Sequence, residues 1–129
     1  LIFVMQDKLI EKEYAAAKLY FDLGTYFGTS SSSSSGNNYE ACVVTAQNAI
    51  SDFPYSERRE DFAILIVRAK FELAEQSVES KKVERFQNAI DEYHGFVNEY
   101  PKSKFLPKAT SLYNRAKAFL AKPQNAAQS

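Results

Sequence analysis

His94, the only histidine of the chain, stands next to Asp91 and Glu92, three residue types that can ligate a metal or carry a proton. A metal site needs several convergent ligands, and one histidine with two helical neighbours does not supply them, so no metal ligand is predicted. Cys42 is the only thiol. A reactive cysteine needs a histidine or basic partner to stabilise its thiolate. Cys42 instead occupies a small position that recurs as Ala89, which predicts an inert core thiol at a tight helix crossing. Gly24, Gly28, Gly36 and Gly95 are scattered, so no glycine-rich phosphate loop is present. The 8 tyrosines and 10 phenylalanines fall at helical spacing, which makes them interhelix packing and not a cofactor-stacking set. Charge clusters such as Glu57-Arg58-Arg59-Glu60-Asp61 and Glu79 to Lys82 read as solvated helix ends or partner contacts. No catalytic, cofactor-binding or metal residue is predicted, and the chain is not read as an enzyme.

The positions that do recur are structural. Tyr39-x2-Cys42-Val43-x5-Ala49-Ile50-x3-Pro54 and Phe86-x2-Ala89-Ile90-x5-Phe96-Val97-x3-Pro101 share their spacing 47 residues apart. Beyond the prolines, Phe53-Pro54-Tyr55-Ser56 matches Tyr100-Pro101-Lys102-Ser103, and Arg68-Ala69-Lys70 matches Arg115-Ala116-Lys117. A period of this size indicates stacked helical units, each covering the apolar face its neighbour leaves open.

With 129 residues and 45% apolar content, the chain suits one compact array spanning 1–129. Sixteen basic residues cancel sixteen acidic ones, which disfavours nucleic-acid binding. A single cysteine cannot form an internal disulfide and says nothing of the compartment. Leu1-Ile2-Phe3-Val4-Met5 is far shorter than the roughly 20 apolar residues of a membrane span and lacks the other parts of a signal peptide. Starting at Leu1, the chain reads as a piece of a longer protein, with any targeting signal upstream.

Good helix formers with apolar residues at three- and four-residue steps predict an all-α fold of about five helices. The first occupies 1–28, with its helix from about Gln6 to Phe27 and Leu9, Tyr14, Ala17, Tyr20 and Leu23 inward. The polar tract 29–36, with serine from Ser30 to Ser35, is predicted to be a flexible linker. Asn37 and Glu40 form a capping box for a second helix over 37–54. A third is predicted over 57–79, with Phe62, Leu65, Ile66, Ala69, Leu73 and Val78 inward. Ser80-Lys81-Lys82 then reads as a turn with Ser80 as cap, and a fourth helix over 83–100 carries Val83, Phe86, Ala89, Ile90, Tyr93, Phe96 and Val97 on its apolar stripe. A last helix over 105–122 carries Pro107 in its first turn and runs through Ala109, Leu112, Tyr113, Ala116 and Phe119, and 123–129 forms a frayed tail.

Tyr20-x2-Leu23-Gly24-x2-Phe27, followed by the two duplicated segments, resembles the tetratricopeptide repeat, with Tyr20 in place of the usual tryptophan. The resemblance implies a right-handed superhelical array of antiparallel hairpins. The period of 47 exceeds the usual repeat of about 34, and the excess is assigned to a hairpin tip around Ser80. The serine run accounts for a second departure, a doubled distance from Phe27 to Tyr39, and reads as an inserted or engineered linker.

Tyr14-x2-Ala17-x2-Tyr20-Phe21, Asp52-Phe53-Pro54-x-Ser56, Asp91-Glu92-Tyr93 and Glu99-Tyr100-Pro101-x-Ser103-Lys104 together resemble the C-terminal half of the BamD family of outer-membrane assembly lipoproteins. That resemblance implies a periplasmic scaffold held at the outer membrane by an upstream lipid anchor. Its partners would be the POTRA domains of a BamA-like barrel protein and the other assembly lipoproteins. The alternative is a tetratricopeptide adaptor of another system, taking a peptide or helix in its groove. Arrays of this class bind along the concave face lined by the first helix of each hairpin. Carried onto this chain, that face comprises Phe21, Thr25, Glu60, Val67, Lys70, Phe71, Thr110, Asn114 and Lys117.

Overall fold

A computed structural model describes the backbone of residues 2–27 and 34–121, and the side chains of 5–25 and 38–121. The described residues form five helices and no strand: α1 (Ile2–Phe27), α2 (Ser34–Asp52), α3 (Arg59–Glu75), α4 (Glu79–Glu99) and α5 (Leu106–Ala121). Each helix packs antiparallel on the next. Thr25 near the end of α1 meets Tyr39 near the start of α2, and Arg59 at the start of α3 pairs with Glu99 at the end of α4. Helices two apart run parallel, as Tyr14 on Phe62 shows for α1 and α3 and Arg115 on Glu75 for α3 and α5.

α3 is the centre of this arrangement. It is apolar around most of its circumference, the pattern of a helix covered on more than one side. Phe62, Leu65, Ile66 and Ala69 join Ile10, Ala17, Phe21, Tyr39, Cys42, Ala46 and Ala49 in one core with α1 and α2. Ile64, Val67, Phe71 and Ala74 join Phe86, Ala89, Phe96, Ala109, Leu112 and Ala116 in a second core with α4 and α5. Small residues on α2, α4 and α5 let the backbones approach. At Gly24 of α1 the Tyr39 ring packs on the backbone, so that an added Cβ would stand 2.8 Å from it.

The duplicated corner in the sequence is a duplicated set of hydrogen bonds. At the first corner the Phe53 amide donates to Ala49 O (2.8 Å), Ser56 to Phe53 O (3.0 Å), Arg59 to Ser56 O (3.1 Å) and Phe62 to Arg58 O (2.9 Å). At the second, Tyr100 donates to Phe96 O (2.8 Å), Ser103 to Tyr100 O (3.1 Å), Leu106 to Ser103 O (3.3 Å) and Ala109 to Phe105 O (3.0 Å). In both, the serine hydroxyl accepts the amide two residues on: Arg58 to Ser56 Oγ at 2.9 Å, Phe105 to Ser103 Oγ at 3.0 Å. Proline ends the helical ladder by lacking an N–H, and the serine re-nucleates it.

Several boundaries differ from the sequence expectation. α2 begins at Ser34, so Ser34 to Gly36 are helical and Asn37 lies inside the first turn instead of capping it. The remainder of the expected linker, 29–33, and the expected tail, 123–129, lie outside the described residues. α3 stops at Glu75 and α4 starts at Glu79, which puts Ser80-Lys81-Lys82 within the first turn of α4. The turn falls instead at Gln76 to Val78. The Ser77 hydroxyl donates back to Leu73 O, a local bond that competes with helix continuation, and Val78 is extended at φ −65 and ψ 154. Val78, expected inward, is exposed as part of this connection, and Val83 is partly exposed one turn into α4. On α1 the buried stripe runs through Ile10, Tyr14, Ala17, Phe21 and Gly24, one position round from the expected one. That rotation leaves Leu9 at 50% and Tyr20 at 37% exposure.

Candidate functional site

The nine residues expected on a concave face divide into two groups. Val67 and Phe71 are 0% and 1% exposed within the second core and cannot meet a partner there. Phe21 is 7% exposed, its ring edge-on to Tyr39 with centroids 5.6 Å apart and the Arg68 guanidinium 4.7 Å above it. The burial of these three has one cause: the rule that selected them assumes a helix with one open side, and here α2, α4 and α5 close the side on which they sit.

The remaining six reach the surface, though most are engaged within the chain. Thr25 is exposed, with its hydroxyl 3.1 Å from Phe21 O and 3.1 Å from the Tyr39 hydroxyl. Glu60 accepts the Ser103 hydroxyl from the second corner. Lys70 pairs with Glu92 at 2.8 Å. Thr110 lies 3.1 Å from the Tyr93 hydroxyl, and Lys117 sits 5.2 Å over the Tyr113 ring. Asn114 is exposed and, with Thr110, lines a shallow hollow along α5 that also includes Leu106, Ser111 and Arg115. Thr110 and Lys117 are thus brought to one cluster, whereas Thr25 lies at the surface beside Tyr39 of the other core.

Tyr93 and Tyr113, both expected on the apolar stripes of their helices, centre that cluster. Tyr93 of α4 and Tyr113 of α5 stack with centroids 4.5 Å apart and planes 7° apart, and exposed His94 stands 5.4 Å from each ring. The signal was the helical phase of Tyr93 and Tyr113, which points both toward the same groove. Among the described residues no group of three or more His, Cys, Asp or Glu side chains could hold a metal ion. Cys42 is fully buried, and burial pushes its thiol up to about 12, leaving essentially no thiolate near neutrality.

Charge seams join helices two apart. Arg58 donates from Nε and Nη2 to the two Glu11 oxygens, both at 2.8 Å, donates from Nη1 to Asp61 at 3.1 Å, and lies 4.2 Å over the Tyr14 ring. Those hydrogen bonds hold the Glu11 carboxyl below its usual range. Arg115 clamps both Glu75 oxygens across α3 and α5. Next to it, burial and then the Glu75 charge push the Glu72 carboxyl upward, against the pull of Arg115, Arg68 and Lys108. A cleft of about 530 Å³ opens where the N-terminal half of α1 meets the first corner, lined by Asp7, Ile10, Glu11, Asp52, Phe53 and Glu57 among others.

No helix among the described residues is long and apolar enough to cross a membrane. Compared with models of known protein families and with curated proteins, the chain matches none.

Proposed function

We propose that this chain is a non-enzymatic, protein-binding scaffold of the tetratricopeptide type, serving outer-membrane β-barrel assembly by docking the POTRA domains of a BamA-like protein. The observation that carries the scaffold reading is the corner repeated bond for bond at an interval of 47 residues. Serial stacking of this kind uses its apolar side chains between helices and leaves long polar edges and shallow hollows for other proteins. Buried Cys42 and His94, which flanks two tyrosine rings, favour the same reading, since among the described residues no group of three or more His, Cys, Asp or Glu could hold a metal ion. The outer-membrane assignment rests on the resemblance of the Asp52 to Ser56 and Glu99 to Lys104 corners and of Tyr14 to Phe21. Mixing the purified chain with the POTRA domains of a BamA-type protein at micromolar concentration tests it. Co-elution on size exclusion is the expected result, and its absence counts against the assignment.

A tetratricopeptide adaptor of another system is the second reading, favoured by the hollow along α5 with its polar line of half-buried Thr110 and exposed Ser111 and Asn114. On that reading a helical peptide, and not a POTRA domain, shifts the amide resonances of Thr110 and Asn114.

A further inference from the structure

The two corners share a backbone and differ in sign. At the second, Glu99 is neutralised by Arg59 at 3.2 Å, Glu60 takes the Ser103 hydroxyl, and Lys102 and Lys104 remain exposed. At the first, both arginines are engaged, Arg58 by Glu11 and Asp61 and Arg59 by Glu99 of the second corner. Asp7, Asp52 and Glu57 are exposed and have no ion-pair partner among the described residues. Asp52 also ends α2, so the negative pole of that helix adds to the same potential. These carboxylates surround a cleft, not a flat surface. Ile10, Phe53 and Pro54 contribute its apolar lining, and Tyr55 projects beside it at 98% exposure.

We propose that this cleft docks an extended segment of a partner protein in which Lys or Arg side chains alternate with apolar ones. The apolar side chains and the aliphatic stems of the cations lie on Phe53 and Pro54, and the charged heads reach Asp7, Asp52 and Glu57. Two features select this occupant. The uncompensated charge is negative only at the first corner, and the lining is apolar enough to favour a cation on a hydrocarbon stem over a hydrated inorganic ion. The inference goes beyond the scaffold reading, because it depends on local charge and shape and not on which assembly the chain serves. Failure to bind POTRA domains therefore leaves it standing.

The test is a titration of the isotope-labelled chain with a blocked peptide of alternating lysine and leucine, and with the same peptide carrying glutamate for lysine. The lysine peptide is expected to shift amides of residues 6–11 and 52–58 while leaving 99–105 unmoved, and the glutamate peptide to leave 52–58 unmoved. The double variant Asp52→Lys, Glu57→Lys, altered only at exposed positions, is expected to weaken lysine-peptide binding at least about ten-fold. Raising salt to about 0.5 M is expected to weaken binding to the native chain as well, which decides the point independently of any variant. Shifts centred elsewhere, no shifts at about 1 mM peptide, or binding indifferent to both salt and the double variant would overturn the proposal. So would self-association of the native chain that Lys102→Glu abolishes, since that outcome assigns the cleft to a second copy.

Discussion

α3 and α5 occupy successive places in the stack and share one face almost residue for residue. Phe62, Leu65 and Ala69 of α3 correspond to Ala109, Leu112 and Ala116 of α5, and all six are buried. Their other faces diverge. On α3, Ile64, Val67, Phe71 and Ala74 form a second buried face, whereas the matching positions of α5 are Ser111, Asn114, Ala118 and Ala121, all exposed. The same repeat unit thus serves as an interior helix in one place and as a covering helix in the other. Changing three large apolar residues to small or polar ones accomplishes the switch, because a helix with nothing beyond it must present a face that water tolerates.

The sharpest way to break the comparison is to substitute the divergent face in each helix. Phe71→Ala removes a fully enclosed ring and is expected to cost about 3–5 kcal/mol in denaturant unfolding. Asn114→Ala on α5 is expected to stay within about 0.5 kcal/mol of the native chain. A comparable loss at both sites would show that α5 is covered in solution.

A third variant sharpens the correspondence between α1 and α3. Tyr14, Ala17, Phe21 and Gly24 have the spacing of Ile64, Val67, Phe71 and Ala74, with glycine where α3 has alanine. Gly24→Ala improves helix propensity by about 1 kcal/mol but drives a methyl into a Tyr39 ring whose hydroxyl is held near Thr25 and Gln76. Overpacking is expected to prevail, with a net loss of about 1–3 kcal/mol. A gain in thermal midpoint would mean that the ring moves freely, against the packing described.

The smallest effects concern the charge seams, where pH dependence should run in opposite senses. Glu11 has a depressed folded pKa, so its contribution is present above the ordinary carboxylate value and lost as pH falls through the folded one. Glu11→Gln is expected to remove that component of acid unfolding. Glu72 has a raised folded pKa, so the native state binds the proton more tightly and stability falls as pH rises from 4.5 toward the folded value. Glu72→Gln is expected to be slightly more stable than the native chain near pH 7, by under about 1 kcal/mol given the partial exposure of the site, with the gain vanishing at low pH. Thermal melts across pH 3 to 8 check both signs, within the carboxylate range.

Much of the fold was legible because the signals were short-range. Pro54, Ser56, Pro101 and Ser103 announce two equivalent corners, and the bonds that realise them join residues within four positions of one another. The break between α3 and α4 was misplaced by a few residues, since Ser77 and Ser80 are equally plausible punctuation until one hydroxyl is seen to bond Leu73 O. The site was less legible. Val67 and Phe71 were assigned to an open face although the run from Phe62 to Phe71 is apolar on nearly every side, a pattern that itself signals enclosure. Asp52 and Glu57 looked like ordinary solvated helix ends, and nothing local distinguishes them from Glu99, which Arg59 neutralises.

The order of helices and the position of each proline corner belong to the sequence by itself, because helix propensity and a missing N–H act over a single turn. Which flank of α3 is closed, and which corner keeps its charge uncompensated, was decided only in the tertiary structure. Those properties depend on neighbours some 40 to 50 residues away, as with Arg58 on Glu11 and Arg115 on Glu75. Burial and ion pairing are set by what arrives from the next helix and not by the segment that carries them.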